Sequence, residues 1–377
     1  MGSASSANSA DIVKIAMIGT GSISRLYLSN IANIYKEIEV AGVCDAVRER
    51  AEKAKEEFGI PKIYGTLDDA LRDPEVDIIL NLTRPYEHFN VTKAALLAGK
   101  HVYSEKPLGA TYEEGAELAA LAQKSGLMLG CAPDTFLGAG IQTCRKLIDD
   151  GFIGDPVGAA SFMICRGHES WHPDPEFYYK FGGGPMMDMG PYHVTALVNL
   201  LGGVSGVTGV ARKSFPTRTI TSQPHYGTVV GVDVNTLVAG ILEFDSGAIG
   251  TVYMTFDAYY NAPARIEVYG SKGTLFVPDP NGFGGPVRLL RPEHGDLAEM
   301  PLLFDYKDES RALGLADMAK ALVAKRGYRA SCEQALHVLE IIASFDRSSA
   351  SGCRCVLETK YVRGEAMKNN SMRGILD

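Results

Sequence analysis

A lysine, an aspartate, a tyrosine and a histidine in this chain are spaced for moving a proton beside a bound ligand. Glu105-Lys106-Pro107 ends the short apolar run His101 to Ser104. Open α/β sheets bind ligands beyond the carboxyl ends of their strands. A lysine there, beside a proline that fixes the backbone, is a candidate proton donor with a defined direction. The second cluster lies in Gly182-Gly183-Gly184-Pro185-Met186-Met187-Asp188-Met189-Gly190-Pro191-Tyr192-His193. Its glycines permit a backbone path close to a flat ring. Asp188 and Tyr192 stand at i and i+4, on one face of a helix that begins near Pro185. His193 projects about 100° further round. A carboxylate beside a phenol or an imidazole suits general acid–base work, and either Tyr192 or His193 can be the acid/base.

A third group feeds the same region. Arg166-Gly167-His168-Glu169-Ser170-Trp171-His172-Pro173 carries the only tryptophan, flanked by histidines. An aromatic plane stacks on the C–H face of a ring while His and Glu take hydroxyls. His168, Glu169, Trp171 and His172, with Asp188 and Tyr192, are therefore the expected substrate contacts. The spacing fits no zinc template, and no metal is expected.

The cofactor side is written in the first hundred residues. Gly19-Thr20-Gly21-Ser22-Ile23-Ser24 follows an apolar run and opens a helical pattern. Gly19 and Gly21 allow a tight turn and close approach of backbone to a pyrophosphate, with Ser22 and Ile23 at the helix N-terminus. Ser24 takes the place of the usual third glycine. Asp45 ends the second strand, where a carboxylate accepts adenine-ribose hydroxyls and repels a 2′-phosphate, so NAD is expected over NADP. Arg48, one helical turn on, is a phosphate candidate whose simpler reading is a solvated arginine. Thr83, Arg84 and His88 follow the fourth strand and would face the pyrophosphate and nicotinamide ribose. Glu105 and Lys106 complete this set.

These residues need elements to position them. Strands are expected at Ile12 to Ile18, Val40 to Cys44, Ile63-Tyr64, Asp77 to Leu82, from His101, and at Leu127 to Cys131. Helices run between them, to about Ile34, over Val47 to Phe58 and over His88 to Leu97. That alternation predicts a parallel sheet over residues 11–132. From Pro133 the pattern changes. A helix over Thr135 to Asp150 precedes a strand at Val157 to Arg166. Strands follow at Val207 to Lys213, Val230 to Phe244, Ala248 to Phe256, Ala264 to Tyr269 and Thr274 to Val277. Helices over Glu309 to Ala324 and Cys332 to Ser348 close the chain. The expected class is an α/β Rossmann domain followed, over residues 133–377, by an α+β domain with a large open, mainly antiparallel sheet. The closing helices are placed to pack back on the first domain.

A length of 377 residues implies two domains, and 46% hydrophobic with 22% charged residues describes a globular chain. A net charge of −8 argues against nucleic acid or an anionic membrane as partner, and no apolar stretch is long enough for a membrane helix. Residues 1–10 read as a disordered lead-in or tag. The seven scattered cysteines form no redox or zinc motif, so reduced thiols in the cytoplasm are expected.

Taken in order, the GxG turn, Asp45, Glu105-Lys106-Pro107 and the GGG-x3-Asp-x-Gly run resemble the Gfo/Idh/MocA (glucose–fructose oxidoreductase, inositol dehydrogenase, rhizopine catabolism) family from Ile12 to about Ser349. The resemblance implies a nicotinamide cofactor, a sugar or cyclitol substrate, a cis Lys106–Pro107 bond, and a homodimer or homotetramer formed through the open sheet. It implies hydride transfer at a hydroxyl-bearing carbon, with Lys106, Asp188 and Tyr192 or His193 handling the proton. Relatives that oxidise, eliminate and re-reduce a glycoside make an NAD-dependent glycosidase the first alternative. A non-catalytic dinucleotide-binding protein is the second. One departure matters: the family commonly has histidine four residues after the motif aspartate, where this chain has Tyr192.

Overall fold

Val13–Ile18 (β1) is almost wholly apolar and buried, the pattern of a strand covered on both faces. The computed structural model, which describes residues 12–259, 264–293, 295–368, 374 and 376, places it at the centre of a parallel sheet. The expected lead-in or tag over residues 1–10 lies outside the described residues. Next in chain order come α1 (Ser24–Asn33), β2 (Ile38–Cys44), α2 (Arg48–Phe58), β3 (Lys62–Ile63), α3 (Leu67–Arg72) and β4 (Ile78–Asn81). They lead to α4 (His88–Leu97), β5 (His101–Ser104), α5 (Tyr112–Ser125) and β6 (Leu129–Cys131). Strand order is β3-β2-β1-β4-β5-β6, all parallel. Chain direction across the sheet reverses between β1 and β4, so a crevice opens above their carboxyl ends. Both the GxG turn and the residues after β4 and β5 sit there.

The second half begins with α6 (Ala139–Asp149) and β7 (Pro156–Ile164), then α7 (Pro185–Asp188), α8 (Gly190–Leu201), β8 (Val204–Arg212), β9 (Thr217–Thr219) and β10 (Val229–Gly231). It continues through β11 (Leu237–Phe244), β12 (Ile249–Thr255), β13 (Arg265–Gly270), β14 (Thr274–Val277), β15 (Val287–Leu290) and β16 (Leu297–Met300). α9 (Leu313–Ala324), α10 (Cys332–Ser351) and β17 (Cys355–Val356) end it. Nine strands form one sheet in the order β16-β15-β14-β13-β7-β12-β11-β8-β17, antiparallel except where β7 meets β12. Segments late in the chain contact elements of the first half. Leu339 and Leu336 of α10 pack on Gly115 of α5, and the Asn30 and Tyr35 side chains donate to the carbonyls of Arg311 and Ser310.

Three sequence expectations shift for identifiable reasons. The run Val230 to Phe244 divides into β10, which pairs with β9, and β11, which joins the large sheet. Asp233, drawn off to the Lys180 ammonium, lies in the gap. The helix expected from Thr135 breaks at Gly138, where a Cβ would strike Phe283, so α6 starts one residue later. The helix expected from Glu309 starts only after Ala312, which adopts φ 82 and cannot continue a right-handed turn backwards. Among the described residues no helix is long and apolar enough to cross a membrane.

Candidate active site

At the cofactor end, Gly19 has φ +95, and a Cβ there would lie 2.6 Å from the Leu82 carbonyl oxygen. Only glycine lets β1 turn so close to the loop after β4. Gly21 differs: a Cβ would meet nothing within 4 Å, so its backbone faces open space at the start of α1. Unfilled space beside helix N–H groups fits a pyrophosphate. Asp45 is held by the chain, accepting from the Thr20 amide at 2.7 Å and the Thr20 hydroxyl at 2.9 Å through Oδ2, and from the Val47 amide at 2.8 Å through Oδ1. The donor set fits a dinucleotide with free ribose hydroxyls.

Above β5 and α7 the proton-handling groups meet. The Lys106–Pro107 bond is cis. Lys106 Nζ donates to Asp188 Oδ1 at 3.0 Å and to the Asp188 carbonyl at 2.7 Å, and stands 5.0 Å from the centre of the Tyr192 ring. The other carboxylate oxygen, Oδ2, lies 3.1 Å from His168 Nε2. Glu105 fixes the lysine's backbone from behind, accepting from the Lys106 amide and from the buried Tyr27 hydroxyl. Burial alone would push Asp188 up, but the Lys106 ammonium and the hydrogen bonds from His168 and Lys106 hold it well below the usual carboxylate range. Burial would likewise lower Lys106, yet Asp188, Tyr192 and Glu105 keep it above the ordinary lysine value. The pair is thus charged in the free protein. Lys106 is a donor there, and Asp188 is a poor base.

The structure separates the two acid/base candidates that the sequence left open. Tyr192 lies in the cluster, with the Arg311 guanidinium as its hydroxyl's partner. Burial pushes its phenol up against the pull of Lys106, so it stays protonated. His193 points away into the core. Its Nδ1 is 2.8 Å from Ser161 Oγ, its Nε2 has no partner among the described residues, and burial lowers it to about 3. One residue along a helix turns a side chain from the crevice into the packing beneath, which removes His193 from proton transfer.

Other expected contacts move as well. His88 is buried, with ring nitrogens 2.8 Å and 3.0 Å from the carbonyls of Pro107 and Thr83, so it ties two strand-end loops together instead of facing a cofactor. Arg48 is exposed and paired with Glu52 along its own helix. Glu169 is taken by Arg218 at 2.9 Å and by the Tyr179 hydroxyl, which leaves it no reach for substrate. Thr83 donates to Asn81 Oδ1, and Arg84 spans the crevice to Asp174 at 3.1 Å. Ser22 is exposed and Ile23 half-buried at the turn into α1. The glycine run serves its own backbone. A Cβ at Gly183 would sit 2.5 Å from the Tyr178 carbonyl, so the chain can fold back on residues 177–178 only with glycine there.

Two residues that sequence reasoning missed join the site. Tyr178 meets His168 edge to face, 4.0 Å between ring centres, and Asp188, Lys106 and Tyr192 all act on its hydroxyl. Its signal was the ring-rich run Phe177-Tyr178-Tyr179 between two motifs. Arg311 comes from the far end of the chain, and nothing local marks it. Among the described residues no cluster of three His, Cys, Asp or Glu is set to hold a metal.

Comparison with known proteins fits this geometry. Residues 13–132 match the model of the oxidoreductase family with an NAD-binding Rossmann fold, and residues 141–276 match the GFO/IDH/MocA C-terminal domain. A myo-inositol 2-dehydrogenase of Thermotoga maritima is 25% identical over 292 residues, covering 78% of this chain and 82% of that one. An NAD(+)-dependent scyllo-inositol 2-dehydrogenase of Bacillus subtilis is 26% identical over 269 residues, 70% of this chain and 73% of that one. A crystal structure of an NAD binding oxidoreductase from Klebsiella pneumoniae superposes with a TM-score of 0.79 at 22% identity, covering 92% of this chain and all (100%) of that one. That last likeness concerns the fold.

Proposed function

Because the chain belongs to the GFO/IDH/MocA oxidoreductase family, we propose that it transfers a hydride between NAD and a hydroxyl-bearing carbon of a sugar, sugar derivative or cyclitol. The observation that carries this reading is one carboxylate, Asp188, shared between Lys106 and His168 above the carboxyl end of β5. Bound NAD supplies the hydride acceptor. The Lys106 ammonium donates a hydrogen bond to the reacting oxygen and stabilises alkoxide character as it develops. Asp188 fixes the ammonium and couples it to His168. With Nε2–H donated to that carboxylate, His168 takes the hydroxyl proton at its other ring nitrogen, Nδ1. Tyr192, a phenol throughout, orients the substrate oxygen. The outer face of the large sheet, where Val210, Ile241 and Ile249 stand exposed, is the surface through which a homodimer or homotetramer would form.

Turnover of a panel of sugars and cyclitols, followed as NADH formation, tests the reading directly. His168→Gln is expected to lower kcat about a hundredfold at unchanged NAD affinity. Tyr192→Phe should cost only several-fold. The reverse order would move the proton to Tyr192. Cofactor choice has its own test. Asp45→Ala should weaken NAD binding about tenfold, by loss of the ribose hydrogen bonds, and narrow the preference over NADP. An unchanged NAD/NADP ratio in titration would remove Asp45 from the cofactor site.

A further inference from the structure

Building on the sugar-oxidoreductase reading, we propose that the substrate is a glycoside, a sugar bearing a second ring, and that this second ring is held on Trp171. A line of rings leads outward from the shared carboxylate. His168, 3.1 Å from Asp188, lies 4.0 Å from Tyr178 and 5.2 Å from Trp171 between ring centres, and Trp171 lies 5.4 Å from His172. Trp171 is the chain's only tryptophan, and it is 62% exposed. Its ring therefore offers an apolar face to solvent.

Its loop is firmly anchored. The Trp171 and His172 amides donate to the His168 carbonyl at 3.3 Å and 3.0 Å. The Thr221 and Ser222 amides donate to the Glu169 carbonyl at 2.8 Å and 3.0 Å, and the Ser222 hydroxyl to the His172 carbonyl. A ring held in solvent by this many backbone bonds, one ring away from the reacting centre, is a stacking platform.

Position decides what stacks there. A sugar reacting at Lys106 and Asp188 lies against His168. The ring one glycosidic bond further out meets Trp171. Neighbouring groups suit such a ring. His172 Nδ1 accepts from the Asp174 amide at 3.0 Å, so the ring proton sits on Nε2, which has no partner among the described residues. Burial lowers the His172 pKa, so this donor is neutral. The Tyr178 hydroxyl is also unpartnered among the described residues and, with burial and Asp188 raising it, stays a phenol. A flat apolar face with two uncharged donors fits a ring's C–H face and hydroxyls.

A sole tryptophan makes the test direct. The NAD-loaded protein is titrated with glucose, xylose and myo-inositol, each free and as a disaccharide or phenyl glycoside, while tryptophan emission and NADH formation are recorded. Glycosides should shift the emission to the blue and saturate at about tenfold lower concentration than the free compounds. Trp171→Ala should erase that tenfold preference in kcat/KM. Equal response to free and linked rings overturns the proposal. So does emission that is already blue and reddens on dilution, which would mean a second copy covers Trp171. No NADH from any compound overturns the oxidoreductase reading alone, and a saturable blue shift with glycosides would still establish the ring site.

Discussion

Lys106→Met is expected to lower kcat about a thousandfold while NAD still binds. The methionine keeps most of the stem's volume, so the loss isolates the ammonium. Two effects act together. The reacting oxygen loses the donor that matches its developing charge, and Asp188 loses the partner that keeps it ionised in a nearly closed site. The second effect is visible without substrate. In the wild type the depressed Asp188 pKa contributes stability above the unfolded carboxylate value, near 4. That contribution is lost only as pH falls below it. In the variant Asp188 keeps only His168 as a partner and burial pushes it up, so it costs stability at neutral pH. The Tm gap between variant and wild type should therefore narrow as pH drops from 7 towards 4. Turnover within a few-fold of wild type would exclude Lys106 from the reaction, whatever the stability curves show.

The parts of the site that sequence exposed are those whose chemistry is local. Gly19, Asp45 and Lys106 each end a strand, and strand ends of a parallel sheet converge in one crevice by topology alone. Asp188 and Tyr192 are four residues apart and both meet Lys106, though on two helices, α7 and α8, that break at Met189 and not on the single helix the spacing predicts. What stayed hidden was set by packing between distant elements. His168 looked like one of several loop groups until the fold of residues 166–184 aimed its Nε2 at Asp188. Glu169, beside it in sequence, carries the same promise on paper but turns the other way, towards Arg218 on β9. Arg311 reaches Tyr192 only because the chain between β16 and α9 crosses back to the first domain. His193 shows the converse: adjacency to a site residue on a helix favours the opposite face. The fold class followed from alternation of elements. The gap between β10 and β11 did not, because β-rich composition continues across it while hydrogen-bond partners change sheet.

Arg218→Met is expected to destabilise the protein by about 3–5 kcal/mol and, below the melting range, to reduce kcat/KM by disordering His168. Arg218 is almost wholly buried, and its side chain is the hub under the tryptophan loop. It pairs with Glu169 and Asp257, and donates to the carbonyls of Phe256 at 2.9 Å and Arg166 at 3.3 Å. One guanidinium thus offsets two buried carboxylates and holds the ends of β7 and β12 against β9. Truncation leaves both carboxylates buried with the Tyr179 hydroxyl and Thr236 hydroxyl as their side-chain donors. Uncompensated buried charge costs more than the pair ever contributed over an apolar substitute, so the loss is large. The effect on catalysis follows from adjacency. Glu169 anchors the residue next to His168, and its carbonyl receives the Thr221 and Ser222 amides that fix the loop. The double variant Arg218→Met with Glu169→Gln removes one of the stranded charges, and should recover roughly half the lost stability in a double-mutant cycle. Recovery of stability without recovery of kcat/KM would show that loop position, and not global folding, carries the activity loss. An Arg218→Met protein as stable as wild type would overturn the assignment of this network as the support of the site.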